Sequence, residues 1–483
     1  MTHPRSLRRA LVALVAGALV AGLAGASVAA VADPDEQVGA DGIGDGYFPL
    51  DGNGGLDVLR YRVQDRYRFG ARTLSGTTRL TVRATQDLDA FHLDLLLPVR
   101  SVRVDGVAAD HRRPSRHEVL VQPAAPIAEG QEFSVLVSYA GRPGELGYLG
   151  ERNWLANRRE VVAMNQPHMA PWWFAANDHP SDKALMDISI TVPRRKQVFA
   201  NGERVSRERR GKVTTHRYVS AEPMSTYLAM FAAGRFDVRR GERGGLPWTA
   251  VVSRLLPPAS REANLDLMRR TSRVVETLEE DLGDYPFAQV GGLVTGLDVG
   301  FALENQTLPT YPETGRGYTW LVVHEIAHQW FGDSVALRRW RDIWLNEGAA
   351  TFMEWRWEET HGGRSASATL CHQYRQRPES SSFWHLRIGD PGADDIFAGA
   401  VYYRGAMTFQ ALRNRIGEQH FWTLLQRWVA ERRDGLGTRL AFKRLAEEVS
   451  GRELDAFFRV WLDTGSKPAD LRRNGLNCSV STG

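Results

Sequence analysis

The chain has 483 residues, 43% hydrophobic and 24% charged. That composition excludes wholesale disorder and fibrous repeats, and the length suits two to four domains at roughly 100–200 residues each. The net charge is +4, but residues 1–32 hold Arg5, Arg8 and Arg9 and no acid. The rest of the chain carries 58 basic against 57 acidic residues, so charge argues against a nucleic-acid partner.

The first 32 residues have the layout of a signal peptide. The three arginines precede an uncharged run of Ala, Val, Leu and Gly over 10–28. Ala30-Val31-Ala32 is a small-x-small cleavage site ahead of Asp33-Pro34-Asp35-Glu36. Secretion by a bacterial export signal is expected, with no stable membrane association after cleavage. The apolar run approaches the ~20 residues that span a bilayer, so an uncleaved surface anchor is the alternative. No cysteine follows the site, which excludes lipoprotein attachment. Two cysteines, Cys371 and Cys478, cannot knit a small scaffold. In an exported chain they can pair, and two unrelated thiols fit the sequence equally well.

Residues 33–55, rich in Asp and Gly, read as a flexible leader. Residues 56–240 read as a β domain. Leu80, Val82 and Ala84 alternate with Arg79, Thr81 and Arg83. Phe91, Leu93, Leu95 and Leu97 alternate likewise, as do Phe133, Val135, Val137 and Tyr139. Asp105-Gly106 is a hairpin signal. Short half-buried strands of this kind predict a β-sandwich-like domain. The stretch 239–245, rich in Gly and Arg, reads as a linker. A second domain over 245–465 follows. Ser260 is placed to cap a helix whose apolar residues recur through Leu265, Met268, Val275, Leu278 and Leu282 to a stop at Gly283. Further helices are expected over 318–331, 346–361, 403–415, 421–432 and 440–449, and a polar tail with little to bury over 466–483. The fold class is therefore α+β and multidomain, a β domain followed by a mostly helical one.

The chemistry concentrates in His324-Glu325-Ile326-Ala327-His328. On a helix, positions four apart share a face, so both imidazoles can reach one ion. Zn²⁺ accepts neutral imidazole nitrogen, and Glu325 beside the first ligand can address a water in an open coordination position. Eighteen residues separate His328 from Glu347, in Trp344-Leu345-Asn346-Glu347-Gly348. Its carboxylate can complete a His₂Glu site with the fourth position open.

HExxH, eighteen residues and Glu resembles the zinc site of the aminopeptidase N family of zinc metallopeptidases, within the thermolysin-like group. Phe301-Ala302-Leu303-Glu304-Asn305 resembles that family's Gly-Ala-Met-Glu-Asn exopeptidase motif, and Tyr402-Tyr403-Arg404-Gly405-Ala406 its Tyr-x-Lys/Arg-Gly-Ala motif. Gln166 resembles the substrate-contacting glutamine of the family's N-terminal domain. The resemblance runs over residues 45–470. It implies a saddle-like or sandwich N-terminal β domain, a thermolysin-like catalytic domain and one Zn²⁺ per chain. Phe301 and Leu303 depart from the family's glycine and methionine, and Phe301 is expected to reshape the substrate side of the pocket. The chain also ends soon after the catalytic domain, without the long C-terminal helical domain of many relatives, which implies a more open cleft.

The resemblance assigns His324, His328 and Glu347 to the metal, Glu325 to proton transfer and Tyr402 to the oxyanion, with Tyr403 as the rival tyrosine. Glu304, Gln166, Ala302 and Asn305 would meet the substrate N-terminus. Thr351 and Glu354, one and two turns after Glu347, could orient a histidine ligand or serve only the surface. Trp172, Trp173, Trp340, Trp344, Trp355 and Trp357 crowd the motifs and read mainly as core. The expected activity is release of N-terminal residues from peptides by a monomer. An open-cleft thermolysin-like endopeptidase is the alternative, and a non-catalytic binding relative a remoter one.

Overall fold

The computed structural model describes residues 37–479. The signal peptide expected over 1–32 and the first residues of the leader lie outside them. Two β layers come first. A ten-stranded sheet is built around Leu56–Arg68, which pairs antiparallel with Thr73–Ala84 and parallel with Leu185–Pro193. The alternating sequence pattern is what seats this sheet. Leu80, Val82, Phe133, Val135, Val137 and Tyr139 are buried, while Arg79 and Arg83 face solvent. Asp105 (φ 48°) and Gly106 (φ 82°) form the tight turn between Val99–Val104 and Val107–Arg112. Phe91–Asp94 departs from simple alternation, because all four residues are buried.

A four-stranded sheet (Gln197–Ala200, Phe231–Gly234, Val161–Ala163, Trp154–Ala156) packs against the large one. The Trp154 ring lies 6.1 Å from Tyr67, and Trp173 lies 4.9 Å from Phe231 while donating through Nε1 to Asp65 at 2.7 Å. Aromatic bodies with one polar handle thus hold the two layers together.

Three expectations about the leader, the linker and the tail are corrected. From Gln37 onward the leader is packed: Asp45, Asp51 and Asn53 are buried, and Asp51 accepts from His168 Nε2 at 2.8 Å. Its Asp and Gly content reflects buried polar bonding and turns. The stretch 239–245 is the heart of a hairpin, Phe236–Arg243 with Leu246–Ser253, turned by Gly244 and Gly245 at positive φ. Its second strand runs parallel to Val290–Val294, so tertiary pairing, absent from local composition, decides this segment. The polar tail is anchored: Leu476 and Cys478 are buried, Cys478 is bonded to Cys371, and Arg375 donates to the Cys478 carbonyl at 2.9 Å.

The helices follow. The one expected up to Gly283 is two, Pro258–Met268 and Thr271–Leu282, and Ser260 is not its cap since the helix already begins at Pro258. Gly283, at φ 84°, does end it. Thr319–Ala327, Trp344–Thr360, Ala366–Gln376, Gly399–Ile416, Glu418–Glu431 and Arg439–Ser450 form the helical body. Among the described residues no helix is long and apolar enough to cross a membrane.

Candidate active site

Thr319–Ala327 is a short helix with Val322, Val323, Ile326 and Ala327 in the core, and His328 is its C-cap in right-handed helical geometry. β-branched residues are mediocre helix formers, so burial and not propensity holds this turn. His324, Glu325 and His328 are also buried. Glu347 stands near the start of Trp344–Thr360, which packs beside it.

Three atoms converge here. His324 Nε2 lies 3.1 Å from His328 Nε2 and 3.3 Å from Glu347 Oε2, and His328 Nε2 lies 3.4 Å from Glu347 Oε2. Donors held about 2.0–2.1 Å from a tetrahedral ion stand about 3.3–3.4 Å apart. The triangle therefore fits Zn²⁺. The outer nitrogens are fixed as well. His324 Nδ1 is 2.7 Å from Glu354 Oε1 and His328 Nδ1 is 3.0 Å from the Phe331 carbonyl. Each ring donates its Nδ1 proton there, which leaves the Nε2 lone pair for the metal. Glu354 thus contacts a candidate ligand. Thr351 lines the cavity.

The carboxylates differ in environment. Burial opposes the charge on Glu347, but the two imidazoles outweigh it and hold its pKa well below the ordinary range. Burial pushes Glu325 up to about 8, a value that a dication alongside would lower. Burial also raises Glu304. One oxygen of Glu304, one of Glu325 and a ring nitrogen of His328 lie within 4.8 Å of one another. Gln166, half-buried at the end of the N-terminal β layers, donates from Nε2 to Glu304 Oε1 at 3.0 Å.

These groups line one cavity of about 460 Å³. It gathers Gln166, Ala302, Glu304, His324, Glu325, His328, Glu347 and Tyr402, eight of the nine expected site residues. Asn305 is the exception. It is buried, donates from Nδ2 to the Leu228 carbonyl at 3.1 Å and does not line the cavity. Its amide braces the loop beneath Glu304. Tyr402 is half-buried with its ring 6.0 Å from His324 and nearly parallel to it. Tyr403, 40% exposed at the rim, lies under the Arg377 guanidinium at 5.5 Å.

Other contributors were not singled out by the sequence. Gln329 donates to the Glu304 carbonyl at 2.9 Å and accepts from Thr307 N at 2.8 Å, tying the 301–308 loop to the histidine helix. Its place directly after His328 was the only signal. Arg404 is buried and donates to the carbonyls of Trp384, Leu386, Val460 and Thr464. The arginine beside the two tyrosines is thus a scaffold for two segments, 384–386 and 460–464. Of the tryptophans, Trp172, Trp173, Trp340 and Trp344 are core, and the cavity wall is made by Trp320 with Phe301, Leu321 and Phe397.

The family models agree with this geometry. The Peptidase M1 N-terminal domain matches residues 59–228 and the Peptidase family M1 domain matches residues 292–461. The chain belongs to peptidase family M1, the aminopeptidase N family. An M1 zinc metallopeptidase from Deinococcus radiodurans, solved with a Tyr-Ser-Ala substrate, is 28% identical with a TM-score of 0.79, covering 89% of this chain and 100% of that one. Among curated relatives, aminopeptidase M1-D of Oryza sativa subsp. japonica is 24% identical over 440 residues, 83% of this chain and 49% of its own length. Aminopeptidase N of Lactococcus lactis subsp. lactis is 22% identical over 432 residues, 82% of this chain and 50% of its own. This M1 chain spans about half the length of these two relatives. The two-layer β region followed by a helical catalytic region is the M1 arrangement of the Deinococcus neighbour.

Proposed function

We propose that the chain is a zinc-dependent aminopeptidase that releases N-terminal residues from peptides. The observation that carries this reading is the Glu304–Gln166 pair. A buried carboxylate faces the cavity beside the histidines, with a neutral amide as its side-chain partner. Its charge is free to meet a substrate ammonium (pKa about 7.7–8.0), which an internal amide lacks. The curated relatives named as aminopeptidases and the Deinococcus neighbour's Tyr-Ser-Ala substrate support the same reading.

His324, His328 and Glu347 would hold one Zn²⁺ per chain. A Zn²⁺ held there would supply Lewis-acid chemistry, lowering the pKa of a bound water and polarising a carbonyl. Glu325 takes the proton of the attacking water and returns it to the leaving amine. Tyr402 keeps its phenolic proton, since burial pushes its pKa further above 10, and donates a hydrogen bond to the oxyanion. Glu304 and Gln166 fix the distance from the substrate N-terminus to the scissile bond, so that one residue is counted off. The pattern of residues 1–32 supports export, and a monomer suffices because one chain supplies every group named.

The test is a panel of free and N-blocked aminoacyl and peptide substrates, with and without a chelator. Chelator-sensitive cleavage confined to free N-termini is expected. Equal cleavage of blocked and free peptides would replace this reading with an endopeptidase.

A further inference from the structure

A second convergence of metal-binding side chains lies in the N-terminal β layers, on residues the peptidase reading does not use. Asp94 ends the strand Phe91–Asp94, and Glu118 begins the strand Glu118–Gln122. The two are direct cross-strand partners. Both are buried, and like charges placed opposite each other destabilise a sheet. His117, also buried, turns Nδ1 toward both: 2.9 Å to Glu118 Oε1 and 3.4 Å to Asp94 Oδ1. One donor atom from each of the three lies within 4.8 Å of the others. The Tyr148 ring stacks on the imidazole at 4.5 Å and fixes its plane.

Among the described residues no Lys or Arg forms an ion pair with Asp94 or Glu118. The guanidinium of nearby Arg113 is spent on the carbonyls of Leu95, Leu97 and Arg116. Asp94 Oδ1 and Glu118 Oε2 accept no hydrogen bond from an N–H or hydroxyl donor among the described residues. An independent side chain points the same way. Asn53, 1% exposed, donates from Nδ2 to Asp94 Oδ2 at 3.1 Å and its own Oδ1 is unpartnered among the described residues. Buried polar atoms left without partners are costly, and a bound ion would satisfy several of them at once.

We propose that Asp94, His117 and Glu118 form a second, structural site for a divalent first-row transition ion, with Asn53 Oδ1 as a further oxygen donor. One imidazole with two carboxylates suits Mn²⁺ or Zn²⁺, whereas Ca²⁺ and Mg²⁺ favour oxygen alone. The ion joins two paired strands to the segment that precedes the first long strand, so it stabilises the N-terminal domain and takes no part in peptide hydrolysis. Binding free energy at such a buried site is folding free energy.

The test uses the full chain with the peptidase centre removed by His324→Ala, His328→Ala and Glu347→Ala together. This variant is dialysed against a chelator, then against Mn²⁺ or Zn²⁺, and metal content and thermal melting are measured. About one ion per chain and a higher melting temperature are expected, with the ion lost when Asp94→Asn and Glu118→Gln are added. No bound ion and unchanged melting with both metals would overturn the site and assign the pair a shared proton instead. An ion retained after Asp94→Asn and Glu118→Gln would also overturn it. Should those two substitutions prevent folding, the stoichiometry and melting of the parent variant decide.

Discussion

Gly348 and Gly405 meet where the helix carrying Glu347 crosses the helix carrying Tyr402. A Cβ built on Gly348 would stand 2.8 Å from the Gly405 Cα, and one built on Gly405 would stand 2.7 Å from the Gly348 Cα. Those are backbone atoms and cannot rotate aside. The two helices can approach this closely only because neither residue has a side chain, and the approach brings a metal ligand and a tyrosine to the same cavity. Gly405→Ala forces the helices apart. Overpacking of this kind typically costs about 1–3 kcal/mol, so thermal or urea unfolding should show a destabilised protein with a lower kcat. A Gly405→Ala protein with unchanged stability would mean the crossing is looser than described.

Glu354 reaches His324, a proposed metal ligand, from two turns along the Glu347 helix. Its Oε1 accepts from His324 Nδ1. Removing such an outer partner typically costs about 10–100-fold in metal affinity. Glu354→Ala should therefore lose zinc to a competing chelator at lower chelator concentration than the parent. Catalysis at saturating zinc should suffer less. A variant with parental zinc affinity would return Glu354 to an ordinary surface acid.

Glu325 and Tyr402 are assigned to chemistry and not to metal binding. Glu325→Gln should keep its zinc, measured by elemental analysis, yet lose most of its kcat. Tyr402→Phe should also keep zinc and lower kcat more than it raises KM, because its hydrogen bond forms mainly in the transition state. Tyr403→Phe serves as the control, since that ring sits at the rim under Arg377. Normal kcat in Tyr402→Phe beside an inactive Tyr403→Phe would exchange the two assignments.

The proposed exopeptidase character rests on Glu304. A charge-assisted hydrogen bond contributes about 1.5–3 kcal/mol. Glu304→Ala should accordingly lower kcat/KM for free-amine substrates roughly 10- to 150-fold. N-acetylated peptides lack the cation and should change far less. The ratio of the two rates is the quantity to measure, and a ratio that Glu304→Ala leaves unchanged would remove this residue from substrate recognition. Gln166→Ala should shift the ratio in the same direction by a smaller factor.

Local sequence alone determined the histidine pair. Residues four apart on one helix share a face whatever surrounds them, so His324 and His328 were legible as two ligands of one ion. The alternating strands at 78–84 and 133–139 were legible for the same reason, a two-residue period with one face buried. What only the tertiary structure decided are the encounters between distant segments. Gln166 reaches Glu304 across 138 residues, and Trp320 rather than the motif-flanking tryptophans walls the cavity. The segments misread as linker, leader and tail share one physical cause. Their composition is polar or glycine-rich, and each is held by partners far along the chain: parallel pairing of Leu246–Ser253 with Val290–Val294, buried carboxylate and amide bonds for 45–53, and the Cys371 bond for Cys478. Periodicity reports which face of an element is apolar. It carries no information about which remote segment will cover that face, because that choice is made by shape and hydrogen-bond matching when the layers pack.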